Sequence, residues 1–167
     1  MAYPEGLLKT RAVIRPGEYA VIPPEGRVRN VIPGIEGCAM SIIASPKLGA
    51  SFVQYVGTAL PGGGTIPPFA QEPGVEAFLY VMDGAGALTA ATCGQKEILA
   101  PGGYAFSPAG KGLAFTNTTS APVRFLLYKQ RHTALPGHEA EAVFGNTATM
   151  EERIYEDMAN VFIRDLL

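Results

Sequence analysis

Short apolar segments, each ended by glycine or proline, recur along most of this chain. They lie at residues 12–15, 19–22, 28–32, 39–44, 51–60, 75–82, 87–92, 97–99, 104–107, 113–116 and 123–129. Strand-length segments at this spacing, with turn signals between them, are typical of a β-sandwich or a β-barrel. No helical periodicity of useful length appears before residue 147. The pattern therefore predicts an all-β protein.

The end of the chain has a different pattern. The string Thr-Met-Glu-Glu at 149–152 matches a capping box, and apolar residues recur at four-residue spacing from Met150, which predicts a short helix. Residues 161–167 are apolar again, as in a strand or a linker. We therefore expect a barrel with extra N-terminal strands over residues 1–147 and a short C-terminal tail over 148–167.

Composition narrows the class of protein. Of 167 residues, 47% are hydrophobic and 17% charged, which suits one folded domain rather than a disordered chain. The net charge of −2 comes without a basic stripe, so nucleic acid is not an expected partner. No apolar run approaches the roughly 20 residues of a membrane span, and the N-terminus lacks a signal-peptide pattern. We expect a cytoplasmic protein that does not bind membranes.

Few residues suggest catalysis or metal binding on their own. Cys38 and Cys93 are the only cysteines, and without an export signal we expect reduced thiols, a disulfide being the alternative. His132 and His138 have no evident third ligand nearby, so a solvated loop is the favoured interpretation over a metal pair. The Pro-Gly-Gly-Gly run at 61–64 lacks the lysine of a phosphate-binding loop and predicts a turn. We find no catalytic constellation.

The most informative segment, residues 102–117, resembles the second cupin motif, Gly-x5-Pro-x-Gly-x2-His-x3-Asn. Its matching positions are Gly102, Pro108, Gly110 and Asn117. Leu113 stands where that motif has its metal-binding histidine. Because the Pro-x-Gly turn sends the chain back into the barrel, the side chain at position 113 is expected to point inward.

Residues 71–84 resemble the first cupin motif in outline. Ala77 takes the position of the ligand carboxylate, and Gln71 and Pro73 take the two earlier ligand positions. Glu76 is one residue out of register, so alternation along the strand turns it away from the interior. The alternative is a local bulge that restores Glu76 to the inside.

The four degenerate ligand positions lack the imidazoles and carboxylates that metal sites of this fold require. We instead expect an apolar filling of the barrel by Ala77, Leu79, Val81, Leu113 and Phe115. The resemblance implies a cupin-type double-stranded β-helix, or jelly-roll barrel, with no metal and no catalytic residue in this chain.

Longer strings resemble the N-terminal half of the (S)-ureidoglycine aminohydrolase family. They lie at residues 31–34, 46–53, 76–81, 102–104 and 125–129, and the string 152–158 resembles the link between the two barrels of that family. The resemblance implies a bicupin of allantoin breakdown, which releases ammonia from (S)-ureidoglycine with a manganese ion held in the C-terminal barrel. No family metal ligand falls on a residue of this chain, so we expect it to be inactive alone.

Two functional hypotheses follow. In the first, the chain is a metal-free half that provides scaffold and subunit contacts. In the second, it is a stand-alone module that binds a small polar metabolite without metal, in a pocket of Gln71, Glu76 and Tyr104. We expect a homo-oligomer in either case, because the outward face of strand 75–82 is largely apolar. A second sheet layer, another subunit or a second barrel could cover that face.

Overall fold

The structure, a computed structural model, describes residues 11–166, and this part of the chain contains β-strands and three short 3-10 turns but no α-helix. The strands are β1 (Val13–Arg15), β2 (Tyr19–Val21), β3 (Ile35–Ala44), β4 (Phe52–Thr65), β5 (Val75–Gly84), β6 (Leu88–Thr92), β7 (Gln95–Leu99), β8 (Gly103–Ser107), β9 (Ala114–Asn117), β10 (Val123–Arg131), β11 (Val143–Asn146), β12 (Arg153–Ile154) and β13 (Phe162–Ile163). The all-β prediction is confirmed.

Nine of these strands form one nearly closed antiparallel sheet. Its order is β11-β8-β5-β10-β4-β9-β6-β7, and β3 pairs with β4 outside this path. The hairpins β1–β2 and β12–β13 form two separate small sheets. Strands that are distant in sequence lie side by side, as in a jelly-roll barrel. The predicted barrel with additional N-terminal strands and a C-terminal tail is therefore the observed architecture.

Strand β4 is the longest strand and joins the two walls of the barrel. Most of its length pairs with β3 and β10, and at Gly64 it pairs with Thr116 of β9. The segment 61–64, predicted as a turn, instead continues this strand. The pairing with β3 slips here, because Glu36 lies opposite Gly64 while Cys38 lies opposite Ala59. This bulge bends β4 so that its end can enter the opposite wall.

The glycines of the bulge permit a close approach of two backbones. A Cβ atom on Gly37 would lie 2.8 Å from the Cα atom of Gly63, and Gly37 has a φ of 62°. A Cβ atom on Gly64 would collide with the carbonyl oxygen of Phe115 on β9. Glycine is therefore required at positions 37 and 64 on steric grounds. The segment 61–64, whose sequence resembles a turn, is part of a bent strand.

The inward face of the barrel is filled with apolar side chains. Ala77, Leu79, Val81, Leu113 and Phe115, which the sequence places there, are each no more than 2% exposed. The rings of Phe115 and Phe125 lie 5.0 Å apart between centroids. Burial on this scale supplies most of the free energy that holds a small barrel together.

Asn117, a motif residue, is fully buried and has four hydrogen bonds. Its Nδ2 donates to the carbonyl oxygens of Ala59 at 2.9 Å and Ala121 at 2.8 Å. Its Oδ1 accepts from the backbone N–H of Thr119 at 3.0 Å and from the Thr119 hydroxyl at 2.7 Å. The side chain thus joins β9 to β4 and closes the turn before β10, which is a structural role.

The segment 28–32, predicted as a strand, forms none. Only Asn30 pairs there, in an isolated bridge with Met40, and its Oδ1 accepts from the backbone N–H of Ile42 at 3.0 Å. Val28 and Val31 are exposed, at 69% and 96%. Val28 and Val31 therefore do not pack against the barrel, while Ile32 packs against the core without strand pairing.

The predicted C-terminal helix is wrong, because the tail forms the hairpin β12–β13. Glu156 and Asp157 have left-handed φ angles of 45° and 61°, which turn the chain. The backbone N–H of Tyr155 then donates to the carbonyl oxygen of Val161 at 2.9 Å. Cross-strand pairing satisfies the backbone groups that a helix would have satisfied along its axis.

Replacement of Asn117 by alanine tests its structural role. We expect Asn117→Ala to lower the free energy of unfolding by about 3 kcal/mol, since it leaves the carbonyl oxygens of Ala59 and Ala121 without a donor. Urea unfolding followed by tyrosine fluorescence measures this. The control is Asn160→Ala, at an exposed turn position, which we expect to have little effect. Equal losses in the two variants would contradict the assignment.

Candidate functional site at the barrel mouth

The four positions that correspond to cupin metal ligands offer poor donors. Ala77 and Leu113 are buried in the core, while Gln71 and Pro73 are exposed in the segment before β5. Phe69 and Leu113 exchange two backbone hydrogen bonds, of 2.9 and 2.8 Å, which join that segment to the second motif. One amide without an imidazole or a carboxylate does not fit a nitrogen/oxygen site for Mn, Fe or Zn.

Glu76 lies on the outer face of β5, away from the barrel interior. Gln130 lies opposite Glu76 and Lys129 opposite Ala77 without a slip, so no bulge turns Glu76 inward. One carboxylate oxygen of Glu76 accepts from Nε2 of Gln130 at 2.7 Å, and the other contacts Nδ1 of His132 at 2.8 Å. The structure thus holds His132, expected in a solvated loop, against Glu76.

Tyr104 is a packing residue on β8. Its ring stacks on Phe78, with centroids 5.7 Å apart, and a Cβ atom on Gly145 of β11 would collide with it. The ring of Tyr104 thus covers Gly145 on the neighbouring strand and shields the backbone there from solvent. Burial raises the pKa of Tyr104.

The three residues predicted to form a pocket are therefore not brought together. Gln71 lines a cavity at the barrel mouth, Glu76 lines a groove on the outer face, and Tyr104 lines neither. Glu76 and Tyr104 lie on the outward faces of β5 and β8, away from Gln71. They are also apart from each other, because Tyr104 lies opposite Tyr80, four residues along β5 from Glu76.

The mouth cavity has a volume of about 440 Å³ and contains charged residues that sequence reasoning missed. Lys129 Nζ lies 3.1 Å from Glu72 Oε1 and 5.5 Å from the centroid of the Phe69 ring. Tyr55 meets the same ring edge-on, with centroids 5.8 Å apart. Phe125 and Leu127 are alternate apolar residues of β10. Continuing this alternation by two positions would have placed the side chain of Lys129 on the inward face.

The charges at the mouth influence one another. The backbone N–H of Glu72 and then the side chain of Lys129 hold the pKa of the Glu72 carboxyl below its ordinary value. Burial, and secondarily the charge of Glu72, raises the pKa of Tyr55. Near neutral pH the cavity therefore contains a lysine–carboxylate pair and a neutral phenol. The cation at Lys129, opposite Ala77 on β5, also disfavours a metal cation there.

A groove with a volume of about 590 Å³ crosses the outer face of the sheet. We define the outer aromatic face by its large side chains: Phe52, Phe78, Tyr80, Phe106, Leu126 and Tyr128. The apolar outward face that the sequence predicts for β5 is thus present and extends across neighbouring strands. Leu166 of the tail also lines the groove, so the chain itself covers part of this face.

The remaining reactive side chains are dispersed. Cys38 and Cys93 are both free, and burial raises the pKa of Cys38 to about 11. Within residues 11–166, no group of three or more His, Cys, Asp or Glu side chains could hold a metal ion. The same range contains no helix long and apolar enough to cross a membrane.

The fold and its motifs define the class of protein: the barrel is a cupin. The Cupin domain family matches residues 56–128, which include β5, the second motif and most of β10. The crystal structure of the protein Ylba from Escherichia coli superposes with a TM-score of 0.82 and 38% identity, over 90% of this chain and 61% of that one.

Sequence comparison then identifies similar proteins. The chain is 39% identical to (S)-ureidoglycine aminohydrolase of Escherichia coli, over 99% of this chain and 62% of that protein. It is 26% identical to the rice protein named "Probable (S)-ureidoglycine aminohydrolase", over 95% of this chain and 48% of its relative. The chain is therefore similar to (S)-ureidoglycine aminohydrolases, and it spans between 48% and 62% of these relatives.

The pairing at the barrel mouth predicts a measurable pKa change. We expect Lys129→Met to raise the pKa of Glu72 toward 4.5, its ordinary value, but not fully, because the backbone N–H of Glu72 remains. Since the folded-state pKa is lowered, the stabilisation from Glu72 is present above the unfolded value and is lost as pH falls through the folded one. Carbon NMR titration of the Glu72 carboxyl measures the shift.

Arg124→Met is the matched control for this titration. It removes the exposed pair of Arg124 with Asp83, whose charged atoms are 3.3 Å apart, and should leave Glu72 unchanged. An identical Glu72 titration in wild type and Lys129→Met would contradict the pairing.

Proposed function

We propose that this chain is the metal-free cupin half of a (S)-ureidoglycine aminohydrolase-like protein of allantoin breakdown. In this proposal it acts in the cytoplasm as a scaffold and provides subunit contacts, while manganese and catalysis belong to a second barrel. The observation that carries the proposal is the apolar packing at Ala77 and Leu113, in a chain that is 39% identical to the (S)-ureidoglycine aminohydrolase of Escherichia coli.

The energetics of the interior support the absence of a metal from this barrel. A metal at the usual cupin position would need several polar ligands beside side chains such as Leu79 and Phe115, which are buried and apolar. Unpaired polar groups are costly in such surroundings. The buried polar residues nearby already have partners: Ser107 donates to the carbonyl oxygen of Gly112 at 2.8 Å, and the hydroxyls of Thr92 and Ser107 are 2.7 Å apart.

The outer aromatic face supports the contact role. Aromatic residues are enriched at protein interfaces, where rigid rings bury a large area at low entropic cost. The rings of Phe52 and Phe78 both lie near that of Tyr128, at 6.0 and 6.1 Å between centroids. Glu76 and Gln130 lie at the edge and provide polar groups around the apolar centre. We propose that a second copy of the chain covers this face.

Metal content and activity test the first part of the proposal. The purified chain is incubated with manganese, dialysed and measured by elemental analysis, and ammonia release is followed with freshly made ureidoglycine. We expect no stoichiometric metal and no ammonia, because the interior provides no ligand set. The longer E. coli relative serves as the positive control for the assay. Bound metal near one per chain, or turnover, would overturn the proposal.

A charge placed on the outer aromatic face tests the contact role. We expect Leu126→Arg to convert a dimer to a monomer, since a cation at the centre of an apolar interface has no partner. Light scattering after size-exclusion chromatography measures the mass. Ile98→Arg is the control, because Ile98 on β7 is 73% exposed and lies outside this face. A monomeric wild type, or a dimeric Leu126→Arg, would count against the role.

A further inference from the structure

The mouth cavity contains a hydroxyl group that has no partner among residues 11–166. Tyr55 lies on the inward face of β4, is only 5% exposed and lines the cavity. Its hydroxyl forms no hydrogen bond with another residue of the range 11–166, although Thr65, Asn117 and the other inward polar groups nearby have partners. The hydroxyl oxygen is not sealed off from solvent, so it opens into the cavity, where a ligand or solvent group can accept its hydrogen bond.

Lys129 lies within reach of the same ligand. Tyr55 pairs with Leu127 across β4 and β10, and Lys129 pairs with Val53, so Tyr55 and Lys129 are diagonal neighbours on the inward face. Diagonal neighbours lie about 7–8 Å apart at their Cα atoms, a span that long side chains readily bridge. A phenol hydroxyl and an ammonium group therefore border the same space, above the ring of Phe69.

We propose that the barrel mouth binds a small organic carboxylate. One carboxylate oxygen accepts a hydrogen bond from the ammonium of Lys129, and the other accepts one from the hydroxyl of Tyr55. The rest of the molecule lies over Phe69, and a hydrogen-bonding group on it, such as an amide, reaches Gln71. The cavity of about 440 Å³ falls in the size range of sites for small metabolites.

Glu72 acts as an internal competitor in this site. Its carboxylate holds Lys129 at 3.1 Å, yet its side chain is 58% exposed, so it can move into solvent when a ligand arrives. An exposed ion pair of this kind contributes little free energy, which makes the exchange of one carboxylate for another inexpensive. The single cation favours a carboxylate over a phosphate, which generally takes several donors.

The test is a chemical-shift titration of the uniformly ¹⁵N-labelled chain with succinamate, which has one carboxylate and one amide. Succinamide, the same molecule with a neutral amide in place of the carboxylate, is the ligand control. We expect succinamate to shift amide signals around Tyr55, Phe69 and Lys129, and succinamide to shift none of them. The chain is treated with EDTA and then dialysed free of it before the titration, so that binding cannot depend on a metal and no other carboxylate competes.

Four variants test the roles of the residues. We expect Lys129→Met to abolish binding while Lys129→Arg retains it, and Tyr55→Phe to weaken binding about fivefold through loss of one hydrogen bond. Glu72→Gln should tighten binding about two- to fivefold, because the competing charge is removed. Lys96→Met, at an exposed position of β7, is the control and should bind as wild type does.

Several outcomes would overturn the site. They are shifts away from the cavity, equal binding by Lys129→Met, and weaker binding by Glu72→Gln, which would make Glu72 a ligand contact rather than a competitor. No binding of succinamate by a folded wild type also counts against it. These failures differ from those of the proposed scaffold role, which rests on metal content, ammonia release and subunit mass. Binding that appears only with added manganese would contradict both.

Discussion

The barrel depends on a single strand that must serve both of its walls. Strand β4 pairs with β3 and β10 in one wall and with β9 in the other, so it has to bend without losing its hydrogen bonds. The bend brings its backbone against two other chain segments, at Gly37 and at Phe115, with no room for a side chain. Gly63 and Gly64 are thus a packing requirement, although the composition of residues 61–64 is that of a turn.

Much of the architecture could be predicted because it follows from local rules. Alternating apolar residues identified most strands within a few positions, and the spacing of Pro108, Gly110 and Asn117 identified the barrel class. The same alternation placed Ala77 inside and Glu76 outside, as the structure has them. The predictions failed where packing decides the outcome. Residues 28–32 formed only an isolated bridge although Ile32 packs against the core, and the tail paired with itself as a hairpin.

The mouth cavity could not be predicted from local patterns, since its parts come from distant segments. Lys129 and Glu72 are separated by 57 positions, and Tyr55 lies on a third element. Only the register between β4 and β10 brings Tyr55 and Lys129 to the same side. The predicted pocket of Gln71, Glu76 and Tyr104 combined residues of different faces. A strand pattern gives the face of each residue but not which strands become neighbours.

In the second motif of this chain, the residue that shapes the turn and the residue at the ligand position have separate roles. Asn117 joins strands through four hydrogen bonds, and Leu113 only fills space where the motif has a ligand. Such a barrel can lose or acquire metal chemistry by change at a few inward positions, while its backbone hydrogen bonds stay intact. A motif match therefore carries information about shape even where it carries none about chemistry.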